Sequence, residues 1–469
     1  MTTMIIFMHM MRVSRLLTYL ALSLALSLAL SLALSLALLG STAWSQSPAD
    51  SPCVVIDGQL LCHEPPCQSS PSARSLRHQP PTPLHVAPPP PVPFPVTTLV
   101  DHGPSENRVD LVFVGDGYQV SELADYADQV QYVVDGIFLT GDPDPDQLDV
   151  TINNPYVRYA RFFNVHRIDV PSPESGIDLV SPTREVNTYF DCGQWSEEIP
   201  RLSGCDTNLA LEIARQSMSS VGVDISLDGP RGWLGLAMNT DLYVNGGAYA
   251  VAMFAGLNQL RRPIMMHEAA HSWHNLADEY GGSTELYTGV EPEELNVTIS
   301  STGQRWASWL GYQQLGNGTQ SVWEGGRYHD FGIFRPTDDS IMRFALTNGY
   351  NSPSIEKMIH DIYTVVSPLD AWSDETQLLP QEFSVSVTPL DPRVILTEWY
   401  VDGVDTSSNG LTFTQESYDL TPGLHTITAV AYDEIVIHAF SPNSHPLDLV
   451  RHDLERLEQS VTWTVVVGP

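Results

Sequence analysis

Three side chains that are to meet at one point cannot all ride on one straight helix, and this constrains the chain more than any other feature. His267-Glu268-Ala269-Ala270-His271 is followed, seven residues on, by Asp278. On an α-helix, residues four apart lie roughly 40° apart around the axis and about 6 Å along it, so the two imidazoles project side by side. An unbroken helix would carry Asp278 about 10 Å further along the same face, out of reach of a shared point. The helix must therefore stop and the chain must turn back. Asn275 is the residue suited to the break, because asparagine tolerates the left-handed conformation that ends helices. Pro263 suits the helix start, where a missing N–H goes unnoticed.

The residue types matter as much as their spacing. Two imidazoles and one oxygen donor leave a fourth position open, as catalytic zinc sites do, whereas structural sites take four protein ligands. His267 and His271 supply two ligands, and Glu268 is carried beside them as a general base for a water. Asp278 is the first choice for the third ligand; Glu279, or a distant acid or histidine, remains open. His274 reads as a supporting or surface side chain, and Tyr280 as either packing or an oxyanion donor. The five-residue pattern arises by chance in many proteins, so its weight comes from context.

That context begins with an exported chain. Arg12 and Arg15 precede an apolar run from Leu16 to Leu39, and Ala43-Trp44-Ser45 offers small residues at a cleavage site before Gln46. Residues 1–45 are thus expected to be a signal peptide, although a run this long also suits a retained anchor. The formal net charge is −34, with Lys357 the single lysine. Such a field disfavours nucleic acid and anionic membranes as partners, and it favours solubility and cation binding. A stable membrane partner is expected only if the signal segment is retained. Cys53, Cys62, Cys67, Cys192 and Cys205 suit an oxidising compartment, with Cys192 and Cys205 as a plausible loop disulfide.

Residues 46–98 read as a Cys-containing, Pro-rich linker or propeptide, dominated by Pro80-Pro81, Pro83 and Pro88 to Pro91. Within it, Cys53 to Cys62 suggests a disulfide-closed hairpin, and a free cysteine there could fill the open metal position and hold the site latent. Residues 99–370 alternate strands (Val109–Val114, Phe162–Val170, Trp233–Met238, Ala248–Phe254) with helices (Ser121–Ile137, Asn208–Met218, Ser354–Val365), which predicts an α/β domain. The run Ala248–Phe254 could pair with an extended substrate or belong to the core. From 380 to 469, short β-rich runs separated by Asp402-Gly403 and Pro422-Gly423 predict an all-β sandwich. Asp142-Pro143-Asp144-Pro145-Asp146 lacks the central glycine and closing glutamate of an EF-hand; another Ca²⁺ arrangement stays open beside a solvated acidic turn. Asn296-Val297-Thr298 and Asn317-Gly318-Thr319 have the form of glycosylation sequons, Gly246-Gly247 that of a turn, and His360 that of a packing residue.

Several of these stretches together resemble the IgA-peptidase-type zinc metallopeptidases. Leu276-Ala277-Asp278-Glu279-Tyr280 is similar to that family's Leu-x-Asp-Glu-Tyr, with Asn275 standing where the family has a glycine. Asn107 to Tyr118, Phe162-Phe163-Asn164-Val165, Pro171 to Gly176, Phe334-Arg335-Pro336 and Ser340-Ile341-Met342 extend the likeness over roughly 100–365. The last segment is similar to the one that places a methionine under the metal; a cysteine often found near it is absent here. The resemblance implies a zincin-like (α+β) catalytic domain, one Zn²⁺, endopeptidase action on protein or peptide substrates, and a following immunoglobulin-like domain. A second reading stays open: an exported binding or adhesion protein whose metal site is structural or vestigial.

Overall fold

The computed structural model describes the backbone of Cys53–Ile56 and Gln59–Cys62, and residues 93–138, 153–197, 199–225, 232–248, 250–344, 349–441 and 445–468. The signal segment, most of the Pro-rich stretch, Cys67 and the acidic Asp142–Asp146 run lie outside them. The two N-terminal segments form an antiparallel hairpin whose register sets Cys53 opposite Cys62.

In the larger unit, six strands form one sheet: β1 (Val96–Val100), β2 (Val109–Asp116), β3 (Phe163–Ile168), β4 (Gly232–Met238), β5 (Asn245–Ala248) and β6 (Val251–Ala255), in the order β5-β6-β4-β2-β3-β1. The four inner strands are parallel, and each edge strand runs antiparallel to its neighbour. β2 and β4 are buried at every residue, which is why they read as continuous apolar runs rather than alternating ones. Alternate side chains still part to two faces. Leu111, Phe113, Trp233 and Phe254 meet helices α1 (Leu123–Phe138), α3 (Arg261–His274) and α4 (Ser352–Tyr363) on one side. Val112, Val114, Leu234 and Leu236 meet α2 (Thr207–Ser220) on the other.

Several boundaries differ from expectation. The six-stranded sheet takes in residues before 99: Phe94 is buried and Val96–Val100 pairs with β3. The prolines mask a β-branched segment that follows them, and an edge strand tolerates Pro at its start. Helix α1 is entered through a 3₁₀ turn capped by Gln119 rather than by Ser121. Helix α3 starts two residues before Pro263, which still falls in the first turn. Helix α4 starts at Ser352, with Asn351 accepting from the Ser354 N–H at 3.1 Å. Strand β6 is interior and Gly246-Gly247 lies within β5, so the sheet edge is β5, not the Ala248–Phe254 run.

A smaller sheet follows α3, made of β7 (Ser283–Leu286), β8 (Trp323–Gly326) and β9 (His329–Arg335) in the order β7-β9-β8. The C-terminal strands form two antiparallel sheets. One holds β10 (Leu369–Trp372), β11 (Ser384–Pro389) and β14 (Thr412–Thr414); the other runs β13 (Val404–Asp405), β12 (Ile395–Val401), β15 (Gly423–Asp433), β16 (Glu458–Val467). β10 therefore joins the C-terminal sheets, although its first two residues fall within the 99–370 stretch. Between the sheets Trp399 stacks on Phe413 and Trp463, with ring centroids 5.3 and 5.8 Å away. These residues are continuous with the core around α3 and α4. Buried Asp433 ties the two regions together, accepting from Arg158, Tyr159 and Tyr363 at 2.7–2.8 Å.

Candidate metal centre

Helix α3 ends where helical arithmetic requires. Asn275 adopts the left-handed conformation (φ 49°, ψ 49°), its N–H donating to the His271 carbonyl and that of Leu276 to the Ala270 carbonyl. The chain then reverses. Ala277 is clamped by one buried side chain, Asn296, which accepts from its N–H at 2.8 Å and donates to its carbonyl at 2.9 Å. Asp278 is thereby delivered to the histidine pair. Its Oδ1 lies 3.1 Å from His267 Nε2 and 3.2 Å from His271 Nε2, and the two nitrogens are 3.1 Å apart.

The other nitrogen of each ring fixes what this triangle is. His267 Nδ1 faces the Ile341 carbonyl at 2.8 Å and His271 Nδ1 the Leu276 carbonyl at 2.6 Å. A carbonyl only accepts, so both Nδ1 atoms carry the proton and both Nε2 lone pairs point inward. Two nitrogen lone pairs and a carboxylate oxygen thus converge with no donor among them. Such an arrangement needs positive charge at its centre, a proton or a metal ion. Ligand atoms held about 2.0–2.2 Å from a tetrahedral zinc ion lie roughly 3.3–3.5 Å apart, close to the spacing here. The residues present fit that ion, and they are the one such group of ligating side chains among the described residues.

Electrostatics agree. Where protons supply that positive charge, burial still works to raise the Asp278 carboxyl, but a protonated His271 facing it and hydrogen bonds from the two imidazoles in that state outweigh it and hold it well below its usual range. Glu268, next along the helix, is buried, and that burial pushes its carboxyl above the usual range against the pull of His267 and His271. Gly247 of β5 explains how it fits: a Cβ there would stand 3.2 Å from Glu268 Oε2 and from Ser272 Oγ.

The neighbouring residues divide among the roles that the sequence leaves open. Glu279 does not join the triangle. It is buried and accepts from Asn296, Ser340 and Asn351 at 2.7–2.9 Å, while its N–H donates to the Met342 carbonyl. The Ser340-Ile341-Met342 segment thus holds both Glu279 and His267. His274 is fully buried rather than exposed, and lies 2.8 Å from the Tyr156 hydroxyl and 2.9 Å from Asp361. Neither sequon is open to modification, since the Asn296 and Asn317 amides are buried in hydrogen bonds with protein groups. His360 is partly buried on α4 and is not one of the three grouped side chains. Tyr280 packs edge-on against Tyr328, and Arg201 hydrogen-bonds its phenol. Cys192 and Cys205 form a disulfide closing the segment that carries Arg201. Tyr328, Arg201 and Asn351 were not singled out in the sequence; no local spacing links them to the motif.

A mainly parallel α/β sheet thus carries a histidine pair on the helix beside its edge and an acid folded back to meet it, a group of side chains that could hold a metal ion. Comparison points the same way: residues 97–317 match the model of the family described as IgA Peptidase M64, a family of peptidases. The resemblance read from Asn107 to Tyr280 is borne out over that stretch; the Ser340–Met342 segment lies beyond it. A search of curated proteins finds no match.

Proposed function

We infer that the chain is an exported zinc endopeptidase acting on protein or peptide substrates, with His267, His271 and Asp278 as metal ligands and Glu268 as general base. The inward-facing lone pairs of the two histidines and Asp278 carry this reading, and the peptidase family match supports it. A zinc ion held there would act as a Lewis acid on the scissile carbonyl and acidify the attacking water. Glu268 would take the proton from that water and pass it to the leaving amide nitrogen; its raised affinity for protons suits a group that must both accept and release one. Tyr280, with its phenol held by Arg201, is the candidate donor to the developing oxyanion. Strand β5, the sheet edge beside Glu268, is the candidate docking rail for an extended substrate, with Gly247 keeping that approach low.

Export rests on the Arg12-to-Ser45 segment and is supported by the Cys192–Cys205 disulfide. An immunoglobulin-like assignment for the C-terminal sheets is supported by their strand order and by the buried Trp399 between them. Cleavage of a broad peptide library, lost on chelation and restored by zinc, is the expected result. Stoichiometric zinc with no cleavage of any peptide would favour a binding protein instead.

A further inference from the structure

The three candidate ligands each have a holder. For His267 and His271 it is a backbone carbonyl, which no substitution removes. For Asp278 it is a side chain: the Tyr328 hydroxyl donates to Oδ2, the carboxylate oxygen that does not face the histidines. A carboxylate can offer either oxygen or both to a cation. With Oδ2 engaged by a donor, Oδ1 alone is turned into the triangle.

Tyr328 reaches this place at a conformational cost. It sits at the tip of the β8–β9 hairpin, where Gly326 pairs with His329 and leaves Arg327 and Tyr328 as a two-residue loop. Both loop residues have positive φ, 43° and 65°. Two-residue loops of that kind are ordinarily built from Asn-Gly or similar pairs, and a bulky aromatic residue with left-handed φ is an outlier. The strain is held by contacts to the metal loop. The Arg327 N–H donates to the Asp278 carbonyl at 2.9 Å, the Tyr328 N–H to the Tyr280 carbonyl at 3.0 Å, and the Ser283 N–H to the Tyr328 carbonyl at 2.7 Å. Burial does not explain the residue, because Tyr328 is 54% exposed. The hydroxyl makes its directed contact with the acid that completes the triangle. An observed backbone outlier of this sort, tied to a candidate site, points to function.

We propose that Tyr328 is a positioning residue, its hydroxyl locking Asp278 as a one-oxygen metal ligand from a strained hairpin tip. The proposal rests on the metal-centre reading above and adds a residue to it. Tyr328→Phe removes one oxygen and keeps ring, packing and backbone. Zinc affinity, measured by competition with a chromogenic chelator, is expected to weaken about 10–100-fold, while the thermal midpoint of the zinc-stripped chain stays at the wild-type value. Tyr328→Gly, which suits the left-handed backbone, is expected to weaken zinc at least as much. Unchanged zinc affinity in both variants would overturn the proposal. So would Tyr328→Phe behaving as a structural lesion, with the stripped midpoint falling and zinc affinity unchanged. His271→Ala serves as the control, expected to lose zinc outright. Wild-type affinity there would mean that the metal centre itself is misassigned, and Tyr328's role would fall with it.

Discussion

Asn275 is where the site is assembled. Its left-handed backbone ends α3 in time for Asp278 to come back, so replacing it should disturb stability and metal binding together. Asn275→Ala is expected to cost about 1–2 kcal/mol, the penalty of a Cβ in left-handed backbone, measured by chemical denaturation, and to weaken zinc binding. Asn275→Gly should leave both close to wild type. Asp278 and Asn275 were legible in sequence because both follow from helix rise and the meaning of a left-handed cap. Asn296 was not: its sequon form directs attention to the surface, whereas its amide replaces a strand partner for Ala277 in the interior. Tyr328 is invisible for another reason. It arrives from a hairpin 50 residues beyond Asp278, and nothing local predicts which hairpin tip docks on a metal loop.

At the scale of elements, α3 is held from behind as well as at its end. His274 is buried between Tyr156 and Asp361, and Asp361 also pairs with Lys357 at 2.6 Å. Burial pushes the His274 imidazole below its ordinary value, outweighing the opposing pull of Asp361, with Lys357 adding to the depression. The unfolded chain therefore binds a proton that the folded chain refuses. Stability from this group is complete above about pH 6.5 and is lost as pH falls through and below that value. His274→Gln, which can keep one donor and one acceptor, should flatten that part of the stability–pH curve relative to wild type. A difference curve with no slope between pH 7.5 and pH 5 would contradict the assignment. Strand interiors were readable from their apolar runs, while element ends were less so. Gln119 as a cap and the strand after Pro95 follow from partners far along the chain: Pro173 accepts from the Gln119 side chain, and β3 pairs with β1.

For the whole molecule, the alternation of strands and helices announced an α/β sheet, but not its order, because pairing depends on contacts that spacing does not encode. Nor did it announce that the C-terminal sheets share a core with the α3–α4 side. Asp433 is the clearest joint. Removing its carboxylate leaves Arg158 without its partner, along with two buried tyrosine hydroxyls. Asp433→Ala is expected to cost about 3–5 kcal/mol in a denaturant titration, in one transition covering both regions. Two separate transitions, with the 97–317 region unaffected, would show that the regions fold independently.

In the proposed function His267, His271 and Asp278 hold a catalytic zinc ion for which Glu268 is the base. The most direct test of this assignment is Glu268→Gln, with zinc content and peptide-library cleavage read on the same preparation. One zinc per chain, as in the wild type, is the expected result, with a loss of cleavage of about 10²–10⁴-fold or more. Cleavage at the wild-type rate would contradict it.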